Sequence, residues 1–225
     1  MEFFLDTASI TEIKSYKELG LVDGVTTNPA LLSKEGNDPI EQIREIAKIV
    51  TEGPISAEVT HAEPDKMVKQ AIKLAAIAEN IIIKVPASVP GLQLAQKLKA
   101  EGIRMNITLI FHATQAAPFI KMEAEYISIF VGRVEDFGLD NRQLIWDTRK
   151  AIDQMGSSSK LLAASMRNPD YLNEAIVAGC DAITVPPECW KKVYYNPLFI
   201  IGEKEFMDQW RTLPDSAREA YEDLS

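Results

Sequence analysis

The chain has 225 residues, 46% hydrophobic and 25% charged, an ordinary globular balance that excludes a disordered tail or a fibrous repeat. Its formal net charge is −9, from 24 Lys and Arg against 33 Asp and Glu, which argues against general binding to nucleic acid. No apolar stretch approaches the roughly 20 residues of a membrane span, and the N-terminus lacks the basic start of a signal peptide. With two cysteines and no CxxC spacing, we expect a soluble, cytoplasmic protein that binds neither nucleic acid nor membrane.

Short β-branched runs alternate with longer amphipathic segments along the whole chain. Several of the short runs are almost continuously apolar, as is typical of parallel strands covered on both faces. Eight strands are predicted: Phe3–Asp6, Gly24–Thr27, Ile55–Val59, Ile81–Val85, Arg104–Leu109, Tyr126–Val131, Lys160–Ser165 and Ala182–Val185. A strand followed by a helix occurs eight times, with no linker between the repeats. This pattern predicts one α/β domain over residues 1–225, a single (β/α)8 TIM barrel. An open doubly wound sheet is the alternative, but no G-x-G-x-x-G follows the first strand.

Capping signals mark the predicted helix ends. Ser9 and Glu12 have the spacing of a capping box, and Asp38 and Asn168 each precede a proline at a helix start. Gly179 is placed to end the helix that follows Asn168.

Two further helices are predicted beyond the eightfold repeat. They are Glu203–Trp210 and Ser216–Leu224, and both are expected to be polar and amphipathic. The segment from about 203 to 225 is either a lid on the bottom of the barrel or an arm that docks on a neighbouring subunit, and the sequence favours neither.

Reactive residues gather at the predicted carboxyl ends of the strands, where barrels of this kind carry their active sites. They are Asp6, Asn28, Glu58, Lys84, Asn106, Thr108, Ser128, Arg133, Ser165 and Arg167. Residues two apart on a strand share a face, so three pairs of residues are expected to point inward. These pairs are Ser56 with Glu58, Asn106 with Thr108, and Ser128 with Phe130. Their neighbours are expected to point outward: Ala57, Val59, Ile107, Leu109 and Ile129.

Lys84 is the most specific single feature, because it interrupts the apolar run Ile81–Pro86. Burial disfavours the ammonium form, and a neutral amine attacks carbonyl groups. The alternatives are a lysine whose amine reaches solvent, or one that only pairs with Glu58 or Asp6.

Asp6 and Glu58 are candidates for two separate general acid–base groups, or for carboxylates that only neutralise Lys84. Thr108 either holds a water between them or bonds to the backbone.

Arg133, Arg167 and Ser165 are a candidate phosphate site, since guanidinium groups match such oxyanions; ordinary surface ion pairs are the alternative. His61 and His112 lack metal-ligand spacing, so no metal is expected.

The sequence resembles the transaldolase and fructose-6-phosphate aldolase family, in particular its short transaldolases, over essentially the whole chain. The resemblance rests on motifs that occur in order at plausible spacing: FFLDT, GVTTNP from Gly24, SAEV from Ser56, IKVP from Ile83, NITLIF from Asn106, FVGR from Phe130, LAASMR from Leu162 and TVPP from Thr184.

The resemblance implies aldol chemistry through a Schiff base, with no metal or organic cofactor. Lys84 would form the Schiff base with a ketose carbonyl, and Asp6 would accept the C4 hydroxyl proton. Glu58, through a water held by Thr108, would move protons during formation and hydrolysis of the imine. The resemblance also implies a set of substrate-binding residues for sugar phosphates: Thr27, Asn28, Asn106, Ser128, Phe130, Arg133, Ser165 and Arg167.

Two positions separate the branches of this family. The aldolase branch typically carries glutamine where this chain has Glu58, and tyrosine where it has Phe130. Phenylalanine has no proton to give, so the three-carbon intermediate would persist until an acceptor aldose arrives. The resemblance therefore favours a transaldolase of the pentose phosphate pathway, with an aldolase that releases free dihydroxyacetone as the alternative.

Three features depart from the family pattern: Ile129 stands where proline is common, His112 replaces a small residue, and the acidic tail beyond Pro214 is longer. Family members form pentamers and decamers, so a homo-oligomer is expected by resemblance. Two other classes remain as alternatives, a sugar-phosphate isomerase on the same barrel and a sugar-phosphate-binding protein without catalysis.

Overall fold

Eight parallel strands close into one barrel in the computed structural model, which describes residues 1–223. The strands are β1 (Glu2–Asp6), β2 (Gly24–Thr26), β3 (Ile55–Glu58), β4 (Ile81–Pro86), β5 (Met105–Ile110), β6 (Tyr126–Phe130), β7 (Lys160–Ala164) and β8 (Ala182–Val185). Each strand pairs with the next, and β8 pairs with β1. The predicted (β/α)8 barrel is confirmed, and each predicted strand end lies within one residue of the observed one.

Helices surround the barrel. They are α1 (Ile10–Glu18), α2 (Pro29–Glu35), α3 (Pro39–Ile49), α4 (Pro64–Ala75), α5 (Val89–Ala100), α6 (Ala113–Lys121), α7 (Val131–Asp136), α8 (Asn141–Gln154), α9 (Pro169–Val177), α10 (Pro187–Tyr194), α11 (Pro197–Trp210) and α12 (Asp215–Glu222). Among the described residues, no helix combines the length and the apolar character that crossing a membrane requires.

Helix starts follow the predicted caps, with one exception. Asp38 accepts hydrogen bonds at the start of α3, Asn168 accepts one at the start of α9, and Gly179 follows α9 with φ 75°. The capping box at Ser9 is only half formed. The Ser9 hydroxyl accepts from the Glu12 amide at 3.5 Å, but the Glu12 carboxylate accepts from the hydroxyl of Thr7 instead of capping in return.

The apolar core has two parts, one inside the barrel and one between the strands and the helices. Four of the inner residues lie two positions before a polar residue on the same strand: Phe4 before Asp6, Ile82 before Lys84, Tyr126 before Ser128 and Ala182 before Thr184. The inner set is Phe4, Ile82, Tyr126, Leu162, Ala164 and Ala182. These side chains close the amino-terminal part of the barrel, so the polar residues meet at its carboxyl end.

A bulge in β5 corrects one predicted orientation. Ala57, Val59, Ile107 and Ile129 belong to the outer core as predicted. Leu109 does not: it takes a positive φ of 59°, and the register with β6 shifts between Ile107 and Ile110. The extra residue breaks the alternation of faces, and Ile110 fills the outer core in place of Leu109.

The C-terminal helices differ from their prediction. α11 begins at Pro197 rather than Glu203, because Asn196 caps the proline-started helix. Its first turn lies before the predicted range and carries exposed Leu198, Phe199 and Ile200, so the observed helix begins with an apolar turn that the prediction did not include. Neither α11 nor α12 has a buried residue. The predicted end of α12 at Leu224 falls outside the described residues.

Both cysteines are buried free thiols. Cys180 precedes β8, and Cys189 lies in α10. Burial raises the pKa of the Cys180 thiol to about 12 and also raises the pKa of Cys189.

Candidate active site

A layer of small polar side chains covers the apolar filling of the barrel at its carboxyl end. Its five members come from five strands and are almost fully buried: Thr26, Ser56, Asn106, Ser128 and Thr184. Buried polar groups cost free energy unless they are hydrogen-bonded, and each of these has a partner within the layer. The layer therefore forms a fixed polar floor for the residues above it.

Lys84 stands beside this floor, at the inward position two residues after Ile82 on β4. Its side chain is 7% exposed, which rules out a lysine whose amine reaches solvent. The amine donates to the backbone carbonyl of Thr27 at 3.1 Å and lies 3.5 Å from a carboxylate oxygen of Glu58. Glu58 and Lys84 are register partners on β3 and β4, so the sheet itself holds this ion pair.

Asp6 on β1 and Glu58 on β3 both interact electrostatically with the lysine. Burial raises the pKa of both carboxyls, and the Lys84 ammonium opposes the shift in each case. The hydroxyl of Thr26 donates to Asp6 at 2.7 Å and stabilises its charged form. A raised pKa makes each carboxylate a stronger proton acceptor than a solvated one.

Asn106 is locked by its neighbours on both sides. Its amide nitrogen donates to the hydroxyl of Ser56 at 2.9 Å, and its amide oxygen accepts from the hydroxyl of Ser128 at 2.6 Å. Ile129 is fully buried in the outer core, so the residue that replaces the family proline leaves the Ser128 contact intact.

The two threonines predicted for the site differ. Thr108 is fully buried, and within residues 1–223 its hydroxyl has no hydrogen-bond partner. The hydroxyl of Thr27 is used by the backbone carbonyl of Ser56 at 2.8 Å, so Thr27 serves the site through its own carbonyl. Asn28 caps α2 through its side-chain oxygen, which accepts from the Leu31 amide.

The candidate phosphate residues form a more open group. The Arg133 guanidinium lies 5.1 Å from the ring centre of Phe130, and Phe130 contacts Phe111 edge-on. Both nitrogens at the end of Arg167 bind the carboxylate of Asp136. The ion-pair alternative is therefore observed for Arg167, while Arg133 has no such carboxylate among the described residues.

Ser165 and Gly132 bring the two arginine-bearing segments together. The Gly132 amide donates to the Ser165 carbonyl at 3.1 Å, and Ser165 itself has a positive φ of 62°. A methyl group on Gly132 would lie 2.3 Å from the Ser165 carbonyl oxygen and 2.8 Å from Nε of Arg167. Only glycine fits at this position.

Sequence reasoning missed four residues of this region: Thr26, Gly132, Asp136 and Thr184. The alternation that placed Ser56 and Asn106 inward also applies to Thr26 and Thr184, so that signal was present. Asp136 lies in a short acidic run without any distinguishing pattern, and only the fold brings it to Arg167.

A cleft of about 840 Å³ adjoins the site on one side. It lies between the α2–α3 segment and α4, and Glu58 is the one predicted site residue that lines it within the described chain. Lys66, Lys69 and Lys73 of α4 also border it, so the approach beside Glu58 is positively charged.

A buried lysine that interacts with two carboxylates at the carboxyl end of a closed parallel barrel defines an enzyme site of the (β/α)8 class. Residues 3–221 match the family model described as transaldolase/fructose-6-phosphate aldolase, and the chain belongs to that family. The probable transaldolase 2 of Listeria monocytogenes is 45% identical over 210 residues, which cover 93% of this chain and 96% of the relative. The probable transaldolase of Lactiplantibacillus plantarum is 43% identical, over 94% and 97%. That of Methanococcus vannielii is also 43% identical, over 93% and 97%.

Proposed function

We propose that the protein is a cytoplasmic transaldolase of the pentose phosphate pathway. It transfers a dihydroxyacetone unit from fructose 6-phosphate or sedoheptulose 7-phosphate to an aldose phosphate, glyceraldehyde 3-phosphate or erythrose 4-phosphate. The observation that carries the proposal is the buried amine of Lys84, 3.5 Å from Glu58 and within electrostatic range of Asp6. A buried amine with two proton-transfer groups beside it suits imine chemistry.

The first step joins Lys84 to the donor. The Lys84 ammonium first gives a proton to the Glu58 carboxylate, and the neutral amine then attacks the ketose carbonyl and forms a carbinolamine. Loss of the carbinolamine hydroxyl as water leaves an iminium ion. Glu58 supplies the proton for that water, through a water molecule held by the free hydroxyl of Thr108. The raised pKa of Glu58 supports this role, because its carboxyl exchanges protons closer to neutral pH.

The second step breaks the C3–C4 bond. Asp6 takes the proton of the C4 hydroxyl, the aldehyde forms at C4, and the bonding electrons move into the iminium, which becomes an enamine. The aldose phosphate leaves and the acceptor aldehyde takes its place. The enamine carbon then attacks that aldehyde, Asp6 returns the proton to the new oxygen, and water hydrolyses the iminium.

Two groups of residues position the sugar in this proposal. Asn28, Asn106 and Ser128 hold the dihydroxyacetone unit, and the locked amide of Asn106 supports a fixed orientation. Arg133, Ser165 and Arg167 hold the phosphate. Because Asp136 binds the two terminal nitrogens of Arg167, the phosphate either uses the Nε side of that guanidinium or displaces the carboxylate.

Phe130 supports a transaldolase over an aldolase. It lies at the end of β6, against Phe111 and Arg133, and offers no proton to the enamine. The enamine therefore waits for the acceptor aldehyde, which completes the transfer.

The experiment measures glyceraldehyde 3-phosphate released from fructose 6-phosphate, with and without erythrose 4-phosphate, together with free dihydroxyacetone. Release that requires the acceptor, without free dihydroxyacetone, is the expected result. Release without acceptor, with an equal amount of dihydroxyacetone, would make the protein an aldolase.

A second arm tests the lysine. Borohydride reduction with fructose 6-phosphate is expected to add the mass of the reduced three-carbon unit to wild type, at Lys84, and nothing to Lys84→Met. Isomerase activity that survives in Lys84→Met would overturn the Schiff-base mechanism. An unmodified wild type that turns over no sugar phosphate would favour a binding protein.

We further propose that the chain acts as a homo-oligomer, a pentamer or decamer, in which α11 and α12 form an arm on a neighbouring subunit rather than a lid. The support is that neither helix buries a residue against its own barrel. No metal or organic cofactor takes part in the proposed steps, since Lys84, Asp6, Glu58, water and the substrate itself supply every nucleophile and proton.

A further inference from the structure

We propose that Thr184 and Thr26 form a directional hydroxyl relay that fixes the Asp6 carboxylate and makes its Oδ2 the atom that accepts the substrate proton. The relay runs from Thr184 on β8 to Thr26 on β2, the two strands that pair with β1 on either side, and from Thr26 to Asp6 on β1 itself. It makes Thr26 and Thr184 positioning residues, which act through Asp6. The inference deepens the proposed function and rests on it for the catalytic role of Asp6.

The direction of the relay follows from counting protons. An ionised carboxylate only accepts hydrogen bonds, so the contact of 2.7 Å between Thr26 Oγ1 and Asp6 Oδ1 uses the single hydroxyl proton of Thr26. Thr26 Oγ1 also lies 2.6 Å from Thr184 Oγ1. Since Thr26 has no second proton, Thr184 is the donor in that contact. Both hydroxyl protons therefore point toward Asp6.

The surroundings hold this arrangement in place. Thr26 and Thr184 are 1% and 2% exposed, so water does not substitute for either hydroxyl. Thr26 is the register partner of Asp6 on β2, and Thr184 is the partner of Phe4 on β8. Both side chains are β-branched and stiff at χ1. In a chain of hydrogen bonds each bond polarises the next, so Thr184 strengthens the bond that Thr26 makes to Asp6.

The relay divides the work between the two carboxylate oxygens. Thr26 occupies Oδ1, which leaves the lone pairs of Oδ2 for the C4 hydroxyl proton. When that proton arrives, the hydrogen bond at Oδ1 keeps the carboxyl from rotating. The proton then stays on the side of the substrate until the new alkoxide takes it back, so no proton is lost between the two half-reactions.

Other charges act on Asp6 as well, and they stay the same in the variants below. The Lys84 ammonium on β4 and Lys34 of α2 favour the charged form, while Glu58 on β3 is a second carboxylate near the same lysine. A change that removes only the Thr184 hydroxyl therefore isolates the relay.

The test compares Thr184→Val, which keeps the shape of the side chain, with Thr184→Ser, which keeps the hydroxyl. We expect Thr184→Val to lower kcat about tenfold with little change in KM, and to move the acid limb of the kcat profile to higher pH, as expected when a hydrogen bond to a charged group is weakened. Thr184→Ser is expected to restore both. Thr148→Val is the matched control: Thr148 is a fully buried threonine that bonds the Leu144 carbonyl in α8, and its loss leaves the profile unchanged.

A second measurement does not depend on catalysis. Because the relay favours the ionised carboxylate, the stability lost in Thr184→Val grows as pH rises through the pKa of Asp6. In an Asp6→Asn background the same loss is independent of pH. A loss independent of pH in both backgrounds, with an unchanged kcat profile, would overturn the relay. A wild type that borohydride does not label at Lys84 would instead refute the proposed function, while the stability measurement would still decide the relay.

Discussion

At the scale of single residues, the site keeps two carboxylates where solvent does not stabilise their charge. Burial raises the pKa of Asp6 and Glu58, and Lys84 only partly offsets it. The native state therefore binds protons more tightly than the unfolded chain between the unfolded pKa and the higher folded one. Over that range, stability falls as pH rises. The same two groups that suit proton transfer thus weaken the fold at neutral pH.

Asp6→Asn tests this trade-off directly. We expect a loss of transfer activity of about 10²- to 10⁴-fold, the usual contribution of a general acid–base group. The part of the stability decline that begins above the unfolded pKa near 3.8 should shrink, because the amide carries no charge. Activity assays and urea unfolding between pH 4 and 9 measure both effects. An unchanged pH dependence of unfolding would contradict the assigned pKa direction.

Asp136→Asn is a control of opposite sign. The Arg167 guanidinium lowers the pKa of this exposed carboxyl, so Asp136 contributes stability that is present above its unfolded pKa and lost as pH falls through the folded one. Its variant should therefore lose stability at neutral pH and match wild type in acid.

At the scale of elements, β6 passes into α7 without a loop, and the packing of this junction against the segment after β7 depends on Gly132. The helix starts at Val131 with no side-chain cap, and the Gly132 amide is tied to the Ser165 carbonyl after β7. This contact sets the spacing between the segments that carry Arg133 and Arg167.

Gly132→Ala should push the start of α7 away from the segment after β7 that carries Ser165 and Arg167. The new methyl group would sit within 3 Å of both the Ser165 carbonyl and Arg167, and overpacking of this kind costs about 1–3 kcal/mol of stability. KM for a phosphorylated donor should rise about tenfold, while KM for unphosphorylated fructose changes less. Gly202→Ala, where a methyl group meets nothing within 4 Å, should be neutral or stabilising. Equal effects on both substrates would argue against phosphate binding at this junction.

The sequence predicted elements well where local pattern and long-range packing agree. Apart from Lys84, β4 is apolar from Ile81 to Val85, and it is buried on both faces, so the run alone locates the strand and the lysine within it. The bulge at Leu109 was missed because it arises from the pairing of β5 with β6. The start of α11 was missed because its first turn is apolar without being buried. The partner of Arg167 depends on how β7 and α7 meet, which no local pattern records.

At the scale of the whole molecule, the barrel ends in helices whose apolar side chains face away from it. Leu198, Phe199 and Phe206 of α11 are all more than half exposed. Trp210 packs on Tyr221, so α11 and α12 fold against each other. Several large apolar side chains exposed on one helix are typical of an interface, which adds to the support for the arm proposed above.

Leu198→Glu should therefore reduce the native mass, as measured by light scattering after gel filtration. A buried charge at an interface is strongly destabilising, so we expect dissociation to smaller species at micromolar concentration. Leu19→Glu is the matched control, because Leu19 follows α1 on the barrel and is 67% exposed against 76% for Leu198. A wild type that is already monomeric, or equal masses in the two variants, would contradict the arm.

The alkylation rates of the two buried thiols measure how often the barrel opens. At neutral pH a thiol with a pKa of about 12 holds almost no thiolate, so Cys180 reacts with alkylating reagents only when the structure around it opens. Cys180 and Cys189 flank β8, the strand that closes the barrel onto β1. Their rate of labelling under native conditions therefore reports how often β8 separates from β1, and the measurement needs no introduced probe.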